Sequence, residues 1–297
     1  MRASGPALCL ASAATFGVMG IFGKLAYRDG ATVGTLLATR FVVAALACWL
    51  VLAGLGRLGE LRALGRRDLA LALALGAIGY GAQAGSYFLA LRRMDASLLA
   101  MLVYTFPTIV TVAAIAIGRE RASRRTAVAL VLASTGLALV LAGGAAGGLD
   151  PLGTLLGLTA ASVYSVYILS AEGISTRVGP LALMTLVCTG AAISLSVAAL
   201  LLSDLHPGAV TVAGFGWLVG IGVVSTVIAV GLFFAGLRRV GPSAAAILST
   251  VEPVVTVGLA FMVFGENPGA AALVGGLLVL AAVPALQARR RRSLLAA

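Results

Sequence analysis

The sequence predicts an all-α integral membrane protein of ten transmembrane helices, arranged as two inverted five-helix repeats. Three observations lead there. The 297 residues are 61% hydrophobic and only 10% charged, with a mean hydropathy of +1.09, whereas soluble domains carry about a quarter charged residues. One stretch occurs twice: SLLAMLVYTFPTIVTVAAIAIGRE at 97–120 and SAAAILSTVEPVVTVGLAFMVFGE at 243–266. Both are apolar runs of bilayer-crossing length. Pro107 pairs with Pro253 and Glu120 with Glu266 at a spacing of 146 residues, and Phe88, Leu91, Arg92 and Arg93 match Phe234, Leu237, Arg238 and Arg239 in the same register. Finally, five spans per copy is an odd number, so the second copy must enter the membrane upside down.

In order, the apolar runs fall at about 5–27, 31–55, 69–91, 96–118, 124–142, 151–171, 179–203, 213–237, 243–264 and 268–288. The first is too long for the core of a signal peptide and counts as a span. The one clear seam is AGGAAGGLDP at 142–151, a Gly/Ala link with Pro151 suited to opening a helix. It divides the chain into a first repeat, 1–143, and a second, 151–292. The three cysteines, Cys9, Cys48 and Cys188, all lie inside apolar runs, which predicts buried free thiols.

The arginines orient the chain. With a cytoplasmic N-terminus, inside segments hold Arg2, Arg57, Arg62, Arg66, Arg67, Arg119, Arg121, Arg124, Arg125, Arg177, Arg238, Arg239 and Arg289 to Arg292. Outside loops hold only Arg28, Arg92 and Arg93. Both termini are therefore expected in the cytoplasm. The net charge of +11 then follows from topology, with no nucleic-acid partner required. The basic tail from Ala288 to Arg292 reads as an anchor to anionic lipid headgroups.

Inverted repeats around a site at the membrane midplane are the recurring plan of secondary transporters, because two equivalent halves can rock between outward-open and inward-open states. The two prolines sit in the fourth span of each repeat. Arg40-Phe41, Glu252-Pro253, Arg119-Glu120 and Gly265-Glu266 complete a pattern that resembles the EamA type of the drug/metabolite transporter (DMT) superfamily, over nearly the whole chain. Within it, the chain is most similar to the YddG-type bacterial amino-acid exporters. That resemblance implies ten helices, a bacterial inner-membrane address and export of small metabolites, aromatic amino acids first among them. No cofactor is implied, and the oligomeric state stays open.

Candidate site residues follow from helical spacing. A proline within a helix frees the carbonyl four residues earlier, here those of Val103 and Ser249. In lipid such a group must face protein or a wet cavity. Met101, Tyr104, Thr108 and Thr111 form one stripe around Pro107, and Ser249, Glu252 and Thr256 another around Pro253. Tyr80, Gln83 and Tyr87 share a face of the third span, and Tyr164 and Tyr167 a face of the sixth. Such residues suit a ring-bearing amphipathic solute; equally, they are ordinary packing between membrane helices. The GxxxG pairs Gly81–Gly85, Gly153–Gly157 and Gly216–Gly220 read as packing.

Charges within spans are costly, at least about 2.5–3.5 kcal/mol each at the bilayer centre. Glu252 would bind a substrate ammonium, carry a coupling proton, or stiffen its kinked helix as a neutral acid. Arg40 would clamp a carboxylate bidentately, or pair with an acid or with helix-end carbonyls. Lys24 offers a second cation or a snorkelling side chain. Trp217 reads as an interfacial anchor, and Glu172, the rough counterpart of Lys24, as interfacial.

Catalysis is not expected. His206 is the only histidine, no Cys/His cluster exists, and no GxxxxGK[ST] motif supplies an ATPase. Against a coupled exporter stand an uncoupled facilitator of the same solutes and an exporter of drugs or other metabolites.

Overall fold

The computed structural model describes residues 4–118, 124–146, 149–175, 177–240, 248–249 and 251–287. These residues are almost wholly helical, with no strand among them. The helices are α1 (Gly5–Gly17), α2 (Met19–Arg28), α3 (Val33–Gly54), α4 (Leu58–Arg62), α5 (Arg66–Ala74), α6 (Gly81–Leu91), α7 (Ala96–Val103), α8 (Phe106–Ala116), α9 (Arg124–Ala146), α10 (Pro151–Ser175), α11 (Pro180–Leu201), α12 (Val212–Gly222), α13 (Ala229–Val240), α14 (Val251–Phe264) and α15 (Gly269–Gln287). Six stretches are long and apolar enough to cross a membrane: Gly5–Arg28, Val33–Gly54, Arg66–Leu91, Pro151–Ala171, Pro180–Leu201 and Val212–Phe233. Shorter apolar helices at Ala96–Val110, Ala127–Gly143, Val251–Phe264 and Gly269–Ala282 fall at the fourth, fifth, ninth and tenth predicted positions.

Local chemistry sets the helix starts. Thr32 caps α3 by accepting from the Thr35 N–H at 3.1 Å, and Thr211 caps α12 through Gly214 N–H at 3.0 Å. The Asp150 carboxylate accepts from Gly153 N–H at 2.6 Å at the head of α10 and pairs with Arg93 at 3.2 Å. The Gly153 amide above all, with Arg93 beside it, holds the Asp150 carboxyl below its ordinary range. Its folded-state pKa is depressed, so its stabilisation is present above about pH 4 and lost in more acid solution. Asp150→Ala should therefore lower the melting temperature at neutral pH. A melting series should show that difference shrinking as the pH falls below the aspartate range.

The third and eighth spans each contain a π-helical stretch, Leu75–Tyr80 between α5 and α6 and Val223–Ile228 between α12 and α13. A π turn shifts the backbone register and leaves carbonyls in need of donors. Ser194 Oγ donates to the Ala77 carbonyl at 2.9 Å, and Thr226 Oγ1 to the Ile221 carbonyl at 3.0 Å.

The helices pack in related pairs. α9 lies along α15, α3 along α11, α1 against α13, and α10 against α6. α14 packs on α1 and on α7, while α10 packs on α7 and α8. Glycines set the closest crossings, but not at the three GxxxG pairs. A Cβ on Gly85 or Gly216 would have nothing within 4 Å. A Cβ on Gly76 would stand 2.0 Å from the Val187 carbonyl oxygen, and one on Gly190 2.1 Å from that of Leu73. Gly136 and Gly275 approach each other's carbonyls in the same way, at 2.6 and 2.5 Å. Cys9, Cys48 and Cys188 are buried free thiols, as expected.

Candidate functional site

The fourth span is broken at Tyr104 and Thr105, with α7 ending before them and Pro107 at the start of α8, where a missing N–H costs nothing. Thr105 Oγ1 donates to the Leu102 carbonyl at 2.7 Å across the break. Tyr104 is buried there. Its hydroxyl reaches the Ser249 carbonyl at 2.5 Å and Glu252 Oε2 at 3.1 Å. The Ser249 carbonyl, marked by the sequence as loosened by Pro253, thus meets the tyrosine of the other proline-bearing span.

From Tyr104 a continuous series of ring contacts leads to Arg40. Tyr104 packs on Phe106 at 5.7 Å between centroids, Phe106 on Tyr164 at 4.8 Å, Tyr164 on Tyr167 at 6.1 Å, and Tyr167 on Tyr80 at 5.6 Å. Tyr80 then accepts a hydrogen bond from Arg40 Nη2 at 3.3 Å. The structure therefore joins a part-buried acid to a buried cation through five aromatic side chains, from the break between α7 and α8, from α8 and α10, and from the π-helical stretch after α5. Spacing alone found four of these rings. It missed Phe106, which lies off the stripe of Tyr104 and Thr108.

Arg40 is 2% exposed. Its Nε donates to Thr226 Oγ1 at 3.2 Å, and its guanidinium lies 4.8 Å from the Phe41 ring centroid, 5.4 Å from Phe88 and 5.9 Å from Tyr80. Among the described residues it forms no ion pair. The partners anticipated for it, an acid or helix-end carbonyls, are replaced by two hydroxyls and three ring faces. Thr226 was not foreseen; only the π turn aims it.

The remaining candidates divide. Tyr87 is buried, edge-on to Phe88, and its hydroxyl stands close to Gly20. Gln83 is buried on α6. Thr256 Oγ1 donates to the Gly17 carbonyl at 2.9 Å, tying α14 to α1. Met101 packs its thioether against Gly276 of α15, away from the ring series. Thr108 is half-buried on α8, and its backbone N–H bonds to the Thr105 carbonyl. The Thr111 and Glu172 side chains, Glu120, and the tail from Ala288 lie outside the described residues.

At one end of the bundle a second polar cluster forms around Glu266. Lys24 Nζ lies 2.6 Å from Glu266 Oε1 and 3.6 Å from Asp95. Glu266 also accepts from Ala96 N–H at 3.3 Å and from the Ser97 N–H and hydroxyl at 3.1 and 3.0 Å. Burial pushes the Glu266 carboxyl up, but Lys24 and Ser97 together outweigh it and hold the group below the ordinary glutamate range. Lys24 thus forms a part-buried ion pair and does not simply snorkel. Trp217 is at the same end, where its indole N–H donates to Asp29 at 2.8 Å and its ring packs on Phe22. Among the described residues the opposite end holds two solvent-facing pairs, Arg57–Glu60 and Arg177–Asp68. There a groove of about 350 Å³ opens between α5 and α10, lined by Leu71, Ala74, Leu75, Ser170, Ile174 and Arg177. Leu75 and Ile174 belong to the cluster on which Tyr80 and Tyr167 pack.

Comparison with known proteins places this geometry. Residues 3–142 and again residues 151–285 match the EamA-like transporter family. A curated protein of Archaeoglobus fulgidus, described as an uncharacterized transporter, is 30% identical over 223 residues, covering 75% of this chain and 78% of its own. A solved crystal structure at 19% identity superposes over 98% of this chain and 99% of its own with a TM-score of 0.67, a likeness of fold.

Proposed function

Because the chain belongs to the EamA-like transporter family, within the drug/metabolite transporter superfamily, we propose that this multi-pass membrane transporter exports aromatic or other hydrophobic amino acids by alternating access. In this reading it sits in a bacterial inner membrane with both termini cytoplasmic. Its helices form two inverted five-span repeats, residues 1–143 and 151–292. The packing supports that symmetry: the first span meets the eighth as the sixth meets the third, and the second, fourth and fifth each meet their own counterparts. Both π-helical stretches also fall in the third span of a repeat.

The observation that carries the substrate class is the ring series between Glu252 and Arg40. A zwitterion bearing an aromatic side chain carries one positive end, one negative end and a flat apolar body. The site offers a carboxyl group, a guanidinium and ring faces between them. Offset and edge-on ring contacts are each worth about 0.5–1.5 kcal/mol beyond area burial. Nucleotide-sugars would demand several cations at membrane depth, and among the described residues Arg40 is the one buried cation.

Glu252 suits coupling as well as recognition. Tyr104 has a single phenolic proton, and the nearer acceptor, the Ser249 carbonyl, takes it. A protonated Glu252 then donates to the Tyr104 oxygen, so that both contacts are satisfied. Substrate ammonium and proton would compete for one carboxylate, which is the requirement for exchange. The Glu266 cluster closes the outer end, and the groove between α5 and α10 is the approach from the cytoplasm.

Proteoliposomes test this. With an imposed proton gradient, labelled L-phenylalanine should accumulate above equilibrium, and Glu252→Gln should abolish accumulation. Equilibration without accumulation would instead establish an uncoupled facilitator. Failure to move any aromatic amino acid in either direction would refute the substrate assignment.

A further inference from the structure

We infer that Arg40 is a carboxylate-binding site and that Thr226 is its positioning residue. The inference deepens the export reading and rests on it for the identity of the solute.

An arginine remains ionised in any protein environment and carries five N–H donors in a rigid fork. Among the described residues Arg40 spends two of them, on Thr226 and Tyr80, both neutral hydroxyls. Three ring faces lower the cost of its burial but accept no further conventional hydrogen bond. A permanent cation is thus held at 2% exposure, in the midst of apolar side chains, with donors left over. A carboxylate matches the unused part of the fork in charge and in planar geometry.

The two hydroxyls explain why the fork is held open. Each comes from a π-helical stretch, Tyr80 from Leu75–Tyr80 and Thr226 from Val223–Ile228. Thr226 spends its own proton on the Ile221 carbonyl five residues back, which commits the lone pairs of Oγ1 to Arg40 Nε. With Nε anchored and one Nη2 hydrogen on Tyr80, the guanidinium plane is fixed. The same π turn holds Ser225, fully buried, whose hydroxyl is the one side-chain polar atom among the described residues that is buried without a hydrogen-bond partner. Unspent polar capacity therefore lies on Arg40 itself and on Ser225, the residue next to Thr226 in sequence. Glu252, whose carboxyl meets Tyr104, forms no ion pair with Arg40.

The test is a ligand panel on purified protein in detergent, read by melting temperature. L-phenylalanine and N-acetyl-L-phenylalanine both carry the carboxylate; L-phenylalaninamide and phenethylamine lack it; sodium chloride tests whether any small anion suffices. The wild-type protein should be stabilised by both carboxylates and by neither of the others, with chloride without effect. Arg40→Gln should erase the preference. Thr226→Val should weaken apparent affinity for the carboxylates about tenfold, the loss of a hydrogen bond to a charged group, while Thr226→Ser retains it. Should Arg40→Gln not fold, Arg40→Lys and Thr226→Val decide: a carboxylate preference undiminished in both overturns the assignment. Equal stabilisation by acid and amide, stabilisation by chloride alone, or no response to any compound also overturns it. Carboxylate binding without transport in vesicles would instead overturn the export reading and leave this site standing.

Discussion

Gly190→Ala is expected to stop the protein from accumulating as a folded species, although it adds a single methyl group. That methyl would lie 2.1 Å from the Leu73 carbonyl oxygen and 3.0 Å from the Ala77 amide, and neither is a side chain that can turn aside. Gly76 makes the reciprocal approach to Val187, so α11 and the π-helical end of α5 are locked at one crossing from both sides. Relief requires the helices to separate. Overpacking of a well-packed core costs about 1–3 kcal/mol and more where backbone must move, against a total stability of about 5–15 kcal/mol. Gly85→Ala and Gly216→Ala are the controls. Their new methyl groups meet nothing within 4 Å, and alanine is the better helix former by about 1 kcal/mol. Fluorescence-detected size-exclusion chromatography of tagged variants should show Gly190→Ala lost or aggregated and both controls at or above wild type. A normal, monodisperse Gly190→Ala peak would mean that this crossing is wrongly described.

Lys24→Met should produce the second large effect, concentrated at the end of the bundle assigned as external. Removing one partner of an ion pair leaves the other charge uncompensated, at a cost of about 3–5 kcal/mol for a fully buried pair and less for this part-buried one. Glu266, 8% exposed, keeps three hydrogen bonds from Ala96 and Ser97 but loses its counter-ion. The pH dependence has a definite sign. The folded-state pKa of Glu266 is depressed in the wild type, so its stabilisation is present above the ordinary glutamate value of about 4.3 and lost as the pH falls through the lower folded value. The melting difference between wild type and Lys24→Met should be greatest near neutrality and shrink in acid, where a protonated Glu266 needs no cation. Lys24→Met combined with Glu266→Gln should regain part of the loss at neutral pH, since an amide oxygen in the place of Oε2 still accepts from the Ser97 N–H and hydroxyl and no charge is left unpaired. A melting difference of the same size at pH 7 and in acid would rule out the ion pair as its cause.

Much of the site could be read along the chain because membrane helices impose a strict period. Tyr80, Gln83 and Tyr87, or Ser249 and Glu252, fall on one face by spacing alone, and a charge such as Arg40 within an apolar run announces itself by its cost. Lys24 and Glu266, by contrast, are separated by 242 residues, and each taken alone looked like a residue near a span end. Thr226 was indistinguishable from any threonine among valines until the π turn rotated its hydroxyl onto Arg40. Met101 shows the reverse: it shares the stripe of Tyr104, yet the break at Tyr104–Thr105 ends its helix, and the thioether packs on Gly276.

The sequence by itself determined that this protein is helical, duplicated and built for a bilayer, because hydropathy and repeat spacing are properties of the chain that no packing can alter. Only the tertiary structure decided which polar groups meet. The joining of Arg40 to Glu252 through five rings, and the pairing of Lys24 with Glu266, depend on how closely helices from the two halves approach. That distance is set by individual glycines and π turns, whose effect is felt only across an interface.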